Sequence, residues 1–254
     1  MFRRVQQVFA VEELRKRILY TLGMLLVYRI GVHIPVPGVK TEALGQILSQ
    51  ALGAGLLEYL NLVTGGALQN FSLFALGVIP YITASIILSL LIPVVPALKK
   101  LREEGREGRK KLTQYTRWGT VLLSLIQACG LSYTAITSGL ADPTPQFFIT
   151  SIIGLTTGSI FLMWIGERIT ENGIGNGISM LIMAGIVARF PAEIQSTYIE
   201  ISTGTVHPLW GIGLIVVFVA VVALTVIMQQ GQRRILVQYA KRTTGRRVYG
   251  GHST

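Results

Sequence analysis

Thiols and imidazoles are nearly missing from this chain of 254 residues, which has one cysteine, Cys129, and three histidines, His33, His207 and His252. A lone thiol makes neither an internal disulfide nor a multi-thiolate metal site. The histidines fall at the ends of apolar runs or in the tail, so they assemble no metal cluster and no intramembrane Ser/His pair. Charge is scarce as well: 14 % of the residues are Asp, Glu, Lys or Arg, against roughly 25 % in a soluble domain. Acidic residues are the scarcest, 12 against 23 basic ones, and none falls inside an apolar run long enough to span a bilayer. That argues against a proton- or ion-coupled transporter, which places ionisable groups near the membrane midplane. It also argues against a membrane enzyme, and no catalytic residue, metal or cofactor is expected.

Apolar sequence is abundant instead. Half the residues are hydrophobic and the mean hydropathy is +0.54, the composition of a multi-pass membrane protein. Residues 118–141 and 143–166 are uncharged runs of 24 residues each, parted only by Asp142. Either exceeds the roughly 20 helical residues that cross a hydrocarbon core of about 30 Å. Further runs cover 18–39, interrupted by Arg29, then 59–98, 172–188 and 201–232. The fold class is therefore all-α, a transmembrane helical bundle with spans near 18–36, 74–95, 118–138, 147–166 and 178–195 and a sixth after residue 207. Lys and Arg collect in cytoplasmic loops. With six spans, twenty of the 23 basic residues fall on one side, Lys40 and Arg189 on the other, and Arg29 within the first span. Both ends are then cytoplasmic, and the net charge of +11 is mostly a topology signal. The first apolar run follows Arg17 and ends at Ile34-Pro-Val-Pro-Gly38 without a small-residue cleavage site, so it is expected to be retained as an anchor. Its Arg29 suits a snorkelling role, with a functional one as the alternative.

Residues 59–98 are the odd segment, forty positions without a charge, too many for one span and too few for two with a solvated turn. Gly65 and Gly66 break the run, and Asn61, Thr64, Gln69, Asn70 and Ser72 make its first part polar. The expectation is that 61–72 dips into the protein as a short helix or loop, and that 74–95 is the second span. Irregular backbone at membrane depth is tolerated only where protein covers it or it lines a wet cavity. Glycines are dense again in Asn172-Gly-Ile-Gly-Asn-Gly177. Past Gln230 the chain is basic, with alternation at Ile235–Tyr239 and a turn signal near Thr243-Thr-Gly245, so a cytoplasmic hairpin is expected. Val78, Ile82 and Ile86, like Ile178, Ile182 and Ile186, recur every fourth residue and share a helical face. Packing or lipid contact explains such a face; so does a greasy constriction that seals a pore by dewetting.

Ordered motifs favour the second reading. The segments Arg29-Ile-Gly-Val-His-Ile-Pro-Val-Pro-Gly38, Thr64-Gly-Gly-Ala-Leu68, Pro80-Tyr-Ile-Thr-Ala-Ser-Ile-Ile87, Glu104-Gly-Arg-Glu-Gly-Arg-Lys-Lys111 and Gln114-Tyr-Thr-Arg117 occur in an order that resembles the SecY family. Gly166-Glu-Arg-Ile-Thr-Glu-Asn-Gly-Ile-Gly-Asn-Gly-Ile-Ser179, Gly231-Gln-Arg-Arg-Ile235 and Gly245-Arg-Arg-Val-Tyr249 continue it, so the resemblance covers essentially the whole chain. It implies the central subunit of a protein-conducting channel in the bacterial inner membrane, a ten-helix clam-shell of two pseudosymmetric halves. Residues 1–206 would be the first half, with a plug at 61–72 and a cytoplasmic loop at 97–117. Residues 207–254 would be the sixth span and part of the next loop, with four further spans missing. By position, the resemblance makes Val78, Ile82 and Ile182 pore-ring residues flanked by Ile86, Ile178 and Ile186. It puts Asn61, Gly65, Gly66, Leu68 and Phe71 in the plug, and Thr83 and Gln127 on the lateral gate. Arg106, Arg109, Lys110, Lys241, Arg242, Arg246 and Arg247 become docking residues for the ribosome, through its RNA, or for the SecA motor. SecE and SecG are the implied membrane partners, and signal sequences and nascent chains the implied substrates. A secondary transporter with inverted repeats is the alternative reading.

Overall fold

Prolines and glycines set the helix boundaries, cutting the apolar runs where charge alone does not. In the computed structural model, residues 11–39, 56–204, 207–231, 242–244 and 247–249 are described. Helix α1, Glu12–Val32, opens with Glu12 and Glu13 and closes near Arg29, charges that suit the two ends of the helix dipole. Lys16–Glu12 (2.9 Å) and Arg17–Glu13 (3.2 Å) pair one turn apart. A short helix α2, Leu56–Val63, stops at Gly65 and Gly66, whose φ angles of 67° and 89° lie where a Cβ is unwelcome. Turns carry the chain from Thr64 to Val78.

Helix α3, Ile79–Val94, starts with Pro80 in its first turn, where a missing N–H is harmless. It ends just past Pro93, and α4, Pro96–Glu103, leaves it at 98°. Gly105 (φ 73°) turns the chain into α5, Arg106–Thr137. Then come α6, Pro145–Asn172, and α7, Gly177–Ser202. The chain divides into two compact units, Met1–Ala192 and Glu193–Thr254. The second holds α8, Pro208–Gln230, apolar on every side as a membrane span requires. It also holds a hairpin in which β1, Arg242–Thr244, pairs antiparallel with β2, Arg247–Tyr249, Thr244 opposite Arg247.

Among the described residues, four stretches are long and apolar enough to cross a bilayer alone: α5, α6, α7 and Gly213–Gln230 of α8; α3 and α4 qualify only as a bent pair. The expected span at 18–36 is α1, which also carries six charged residues, Glu12, Glu13, Arg15, Lys16, Arg17 and Arg29. The expected second span at 74–95 is helical only from Ile79, because 74–78 belong to the turns. The segment 97–117 is not a loop but α4 and the first turns of α5. The hairpin lies nearer the end of the chain than the alternation at Ile235–Tyr239, which falls outside the described residues.

Packing in the first unit depends on small side chains. Buried Thr116, Thr120, Ser124, Ala128 and Ser132 recur every fourth residue along α5, which packs against α3 and α6. Side chains this small let helix backbones approach. Their hydroxyls are satisfied locally, as Thr120 Oγ1 donating to the Thr116 carbonyl at 2.8 Å, or across the seam, as Ser132 Oγ donating to Ser151 Oγ at 2.8 Å. Two apolar clusters form the core. One gathers Val36, Leu68, Phe71, Ala128, Phe147 and Leu155; the other Tyr28, Ala67, Phe74, Val78, Leu162, Ile169 and Leu181. Both contain residues of the Thr64–Val78 turns, so the irregular segment sits at the centre of the packing, where its backbone is covered.

Candidate functional site

A cavity of about 550 Å³ opens between α3, α5, α6 and α7. Ile82 and Ile86 of α3 and Ile178 and Ile182 of α7 supply its apolar wall. Four-residue spacing puts each pair on one face of its helix, and tertiary packing turns the two faces toward the same space. The rim is polar: Thr113 and Arg117 from α5, Glu167, Thr170 and Glu171 from α6, and Asn176 and Ser179. Ile82, Ile178 and Ile182 pack on the core cluster that holds Ala67 and Val78, whereas Ile86 is 54 % exposed. Val78 is buried one turn before Ile82, and Ile186 is half-buried. Neither of these two lines the cavity.

The glycine-rich turn sets the position of the α7 wall. Asn176 caps the helix, its Oδ1 accepting from the backbone N–H groups of Ile178 (3.0 Å) and Ser179 (3.4 Å). Thr170 Oγ1 accepts from the Gly177 N–H at 2.8 Å, and Thr21 Oγ1 of α1 from the Ile174 N–H at 3.2 Å. A Cβ on Gly177 would strike the Gly166 carbonyl; glycine here lets the start of α7 lie against the end of α6. On the rim, Arg117 holds Glu167 in a two-pronged pair, Nε to Oε1 and a terminal nitrogen to Oε2, both at 2.8 Å. That hydrogen bonding keeps the Arg117 guanidinium above its ordinary pKa. Arg168 pairs with Glu171 at 3.0 Å and lies over the Trp164 ring at 5.6 Å.

Residues 61–72 fold on themselves. Asn61 is 1 % exposed; its Oδ1 accepts from the Gln69 N–H at 3.0 Å, and its carbonyl accepts from the Gly66 N–H at 2.9 Å. Leu68 and Phe71 are buried. Phe71 takes a φ of 42°, an uncommon conformation for a bulky residue. It is held by bonds to the strand-like stretch after α1, Val36 N–H to the Phe71 carbonyl and Leu73 N–H to the Ile34 carbonyl, both at 3.0 Å. Tyr28 and Arg29 of α1 close the arrangement. The Tyr28 hydroxyl donates to the Thr64 carbonyl and the Arg29 guanidinium to the Gly65 carbonyl, both at 3.1 Å. Arg29 thus turns toward protein, whereas its place near the end of the run leads one to expect snorkelling to the interface. Its neighbour Tyr28 carries no signal in the sequence that sets it apart as a site residue, because its partner carbonyl lies 36 residues away.

The remaining expected site residues are dispersed. Gln127 lines a second cavity of about 400 Å³ with Leu68, Leu76, Ile79 and Leu131. Thr83 is absent from that wall and donates to the Ile79 carbonyl of its own helix at 3.0 Å. Arg106, Arg109 and Lys110 are exposed on the first turn of α5. Arg242 and Arg247 lie on the hairpin strands, and Lys241 and Arg246 fall outside the described residues.

Comparison with known proteins agrees with this architecture. The SecY family model matches residues 72–254. The protein translocase subunit SecY of Thermotoga maritima is 46 % identical over 263 residues, covering 100 % of this chain and 60 % of the relative. The subunits of Haemophilus influenzae and Escherichia coli K12 are 46 % and 44 % identical, each across 95 % of this chain and 55 % and 56 % of their own lengths. The chain therefore spans a little over half the length of these curated relatives. Among solved structures, Sec61 in the canine ribosome-channel complex from the endoplasmic reticulum superposes with a TM-score of 0.60 at 22 % identity, over 82 % of this chain and 47 % of that one. A protein-conducting channel superposes with a TM-score of 0.59 at 22 % identity, over 93 % and 51 %. The family match over most of the chain, relatives sharing nearly half its residues and the shared fold lead to one conclusion: the chain belongs to the SecY family.

Proposed function

We propose that this chain supplies part of the wall of a protein-conducting channel, which passes unfolded polypeptides across the bacterial cytoplasmic membrane and releases apolar segments sideways into the bilayer. The observation that carries the reading is the shared wall formed by Ile82 and Ile86 of α3 with Ile178 and Ile182 of α7 beneath a polar rim. A narrow aliphatic throat excludes water when empty, yet offers a moving chain no specific bonds to hold it. Val78, Ile82 and Ile182 act as the pore ring, with Ile86, Ile178 and Ile186 beside them, and residues 61–72 act as the plug. Thr83 and Gln127 belong to the side opening. The charge distribution supports cytoplasmic ends, with the basic α4–α5 corner and the hairpin after α8 facing the ribosome or the SecA motor. Ribosomal RNA would be held there largely through counterion release. SecE and SecG complete the membrane complex. The secondary-transporter alternative finds no support, since the relatives are named as translocase subunits and the inner wall is aliphatic.

The test uses the full-length protein with its membrane partners and a stalled secretory chain. A photocrosslinking residue at Ile82 or Ile182 should capture the nascent chain, while one at Ile153, 61 % exposed on α6, should capture lipid. Equal capture from all three positions would overturn the reading.

A further inference from the structure

Where α1, the coil at 61–72 and α7 meet, the coil and α7 touch backbone to backbone at two glycines, and α1 reaches them through the Tyr28 side chain. A Cβ on Gly65 would lie 2.8 Å from the Gly185 Cα and 3.1 Å from its carbonyl oxygen. A Cβ on Gly185 would lie 2.9 Å from both the Tyr28 hydroxyl and the Val63 carbonyl oxygen. Gly185 follows Ile182 by one turn of α7. At the same junction α1 provides the coil with two side-chain donors, Tyr28 to the Thr64 carbonyl and Arg29 to the Gly65 carbonyl, both at 3.1 Å. Both carbonyls follow the end of α2, and that of Thr64 also accepts from the Ala67 N–H at 3.4 Å; Tyr28 and Thr64 are 4 % and 3 % exposed. A small separation of α1 from the coil breaks the two hydrogen bonds, and one of α7 from it breaks the glycine-to-glycine touch, while Phe71 stays bonded to Val36 at 3.0 Å. Tyr28 is also fixed from its other side, stacked on Phe74 with ring centroids 6.2 Å apart, so the donor is held in place whether or not the coil is docked.

We infer that Tyr28, Arg29 and the Gly65–Gly185 contact form a latch that holds residues 61–72 in the closed position. Tyr28 and Arg29 are positioning residues, acting on the pore through the coil. The inference rests on the reading of 61–72 as a plug, and the experiment keeps the two apart. Ion conductance of the full-length protein with its membrane partners is measured in planar bilayers without substrate. The chains compared are wild type, Tyr28→Phe, Arg29→Lys, Gly185→Ala, a deletion of 61–72, and the deletion combined with Tyr28→Phe. Tyr28→Phe keeps the aromatic stack and removes one buried hydrogen bond, worth roughly a threefold to tenfold shift between two states. Resting open time should therefore rise about threefold to tenfold, and Gly185→Ala should raise it at least as much by pushing the coil off α7. In the deletion background Tyr28→Phe should add nothing, whereas a purely structural role would add leak there as well. A tight Tyr28→Phe channel beside a leaky deletion would overturn the latch and leave the plug standing. A tight deletion would overturn the plug reading itself. Tyr28→Phe removes only the hydroxyl and adds no bulk, so it decides the matter if Gly185→Ala fails to assemble.

Discussion

Ile82 and Ile182 come from helices a hundred residues apart in sequence and share one cavity wall, so their chemistry is tested as a pair. Asparagine at either site supplies donors and acceptors to which water can bond, and the throat should wet. Conductance of the complete complex carrying Ile82→Asn or Ile182→Asn should rise, while Ile→Leu at the same sites stays near wild type. Thermal stability measured beside it separates sealing from packing: a tight channel with lowered stability would remove these residues from the ring. On the rim, Glu167→Gln keeps the shape and loses the two-pronged ion pair with Arg117. The Glu167 side chain is 17 % exposed and that of Arg117 49 %, so solvent screens the pair, and the loss should be about 1 kcal/mol. A modest drop in unfolding midpoint that shrinks at high salt is the expected result.

Helix pairing in the first unit rests on the small-residue seam of α5. Ala128 is fully buried, and Ala128→Leu would force extra carbons between α5 and its neighbours at a cost of about 1–3 kcal/mol. Ser132→Ala removes the bond to Ser151 and should cost only about 0.6 kcal/mol, since interhelical hydrogen bonds in membranes are worth little net. Unfolding in mixed micelles would rank the two, and the opposite order would mean that hydroxyl bonding rather than close approach joins the helices. The hairpin contributes charge and no apolar surface to a membrane span. Arg246→Glu combined with Arg247→Glu should therefore leave insertion unchanged, weaken ribosome or motor binding several-fold, and flatten its salt dependence. Binding at low salt equal to wild type would reduce both arginines to topology markers.

The whole molecule has a topology that labelling can read. With Cys129 replaced by alanine, a cysteine at Asp142 should react with an impermeant reagent from outside, and one at Arg109 should react only from the cytoplasmic side. Arg109 serves because it is exposed on α5, whereas a Cβ at neighbouring Gly108 would collide with the Leu101 carbonyl. The reverse pattern would reject the arrangement drawn from the basic residues. Agreement would also account for the charge excess without a nucleic-acid partner at every basic site.

Hydropathy and charge are local sums, so the sequence alone carried the helical membrane class, the order of the apolar elements and the basic ends. The polar, glycine-broken stretch at 61–72 was legible as irregular backbone for the same reason: its composition conflicts with a plain span. Long-range packing settled the rest. That 74–78 joins the turns depends on what covers those residues, and helical periodicity cannot register it. Arg29 could snorkel or turn inward by its position in α1, and the choice was made by the Gly65 carbonyl on a coil 36 residues away. Spacing placed Ile82 and Ile182 each on a face, but the two faces share a cavity only when residues elsewhere set the helices in place, among them Gly177 against Gly166 and the core cluster that holds Ala67 and Val78. Faces follow from local geometry, while a shared wall requires distant segments to come together, and for that reason only the folded chain assembles the isoleucine-lined cavity.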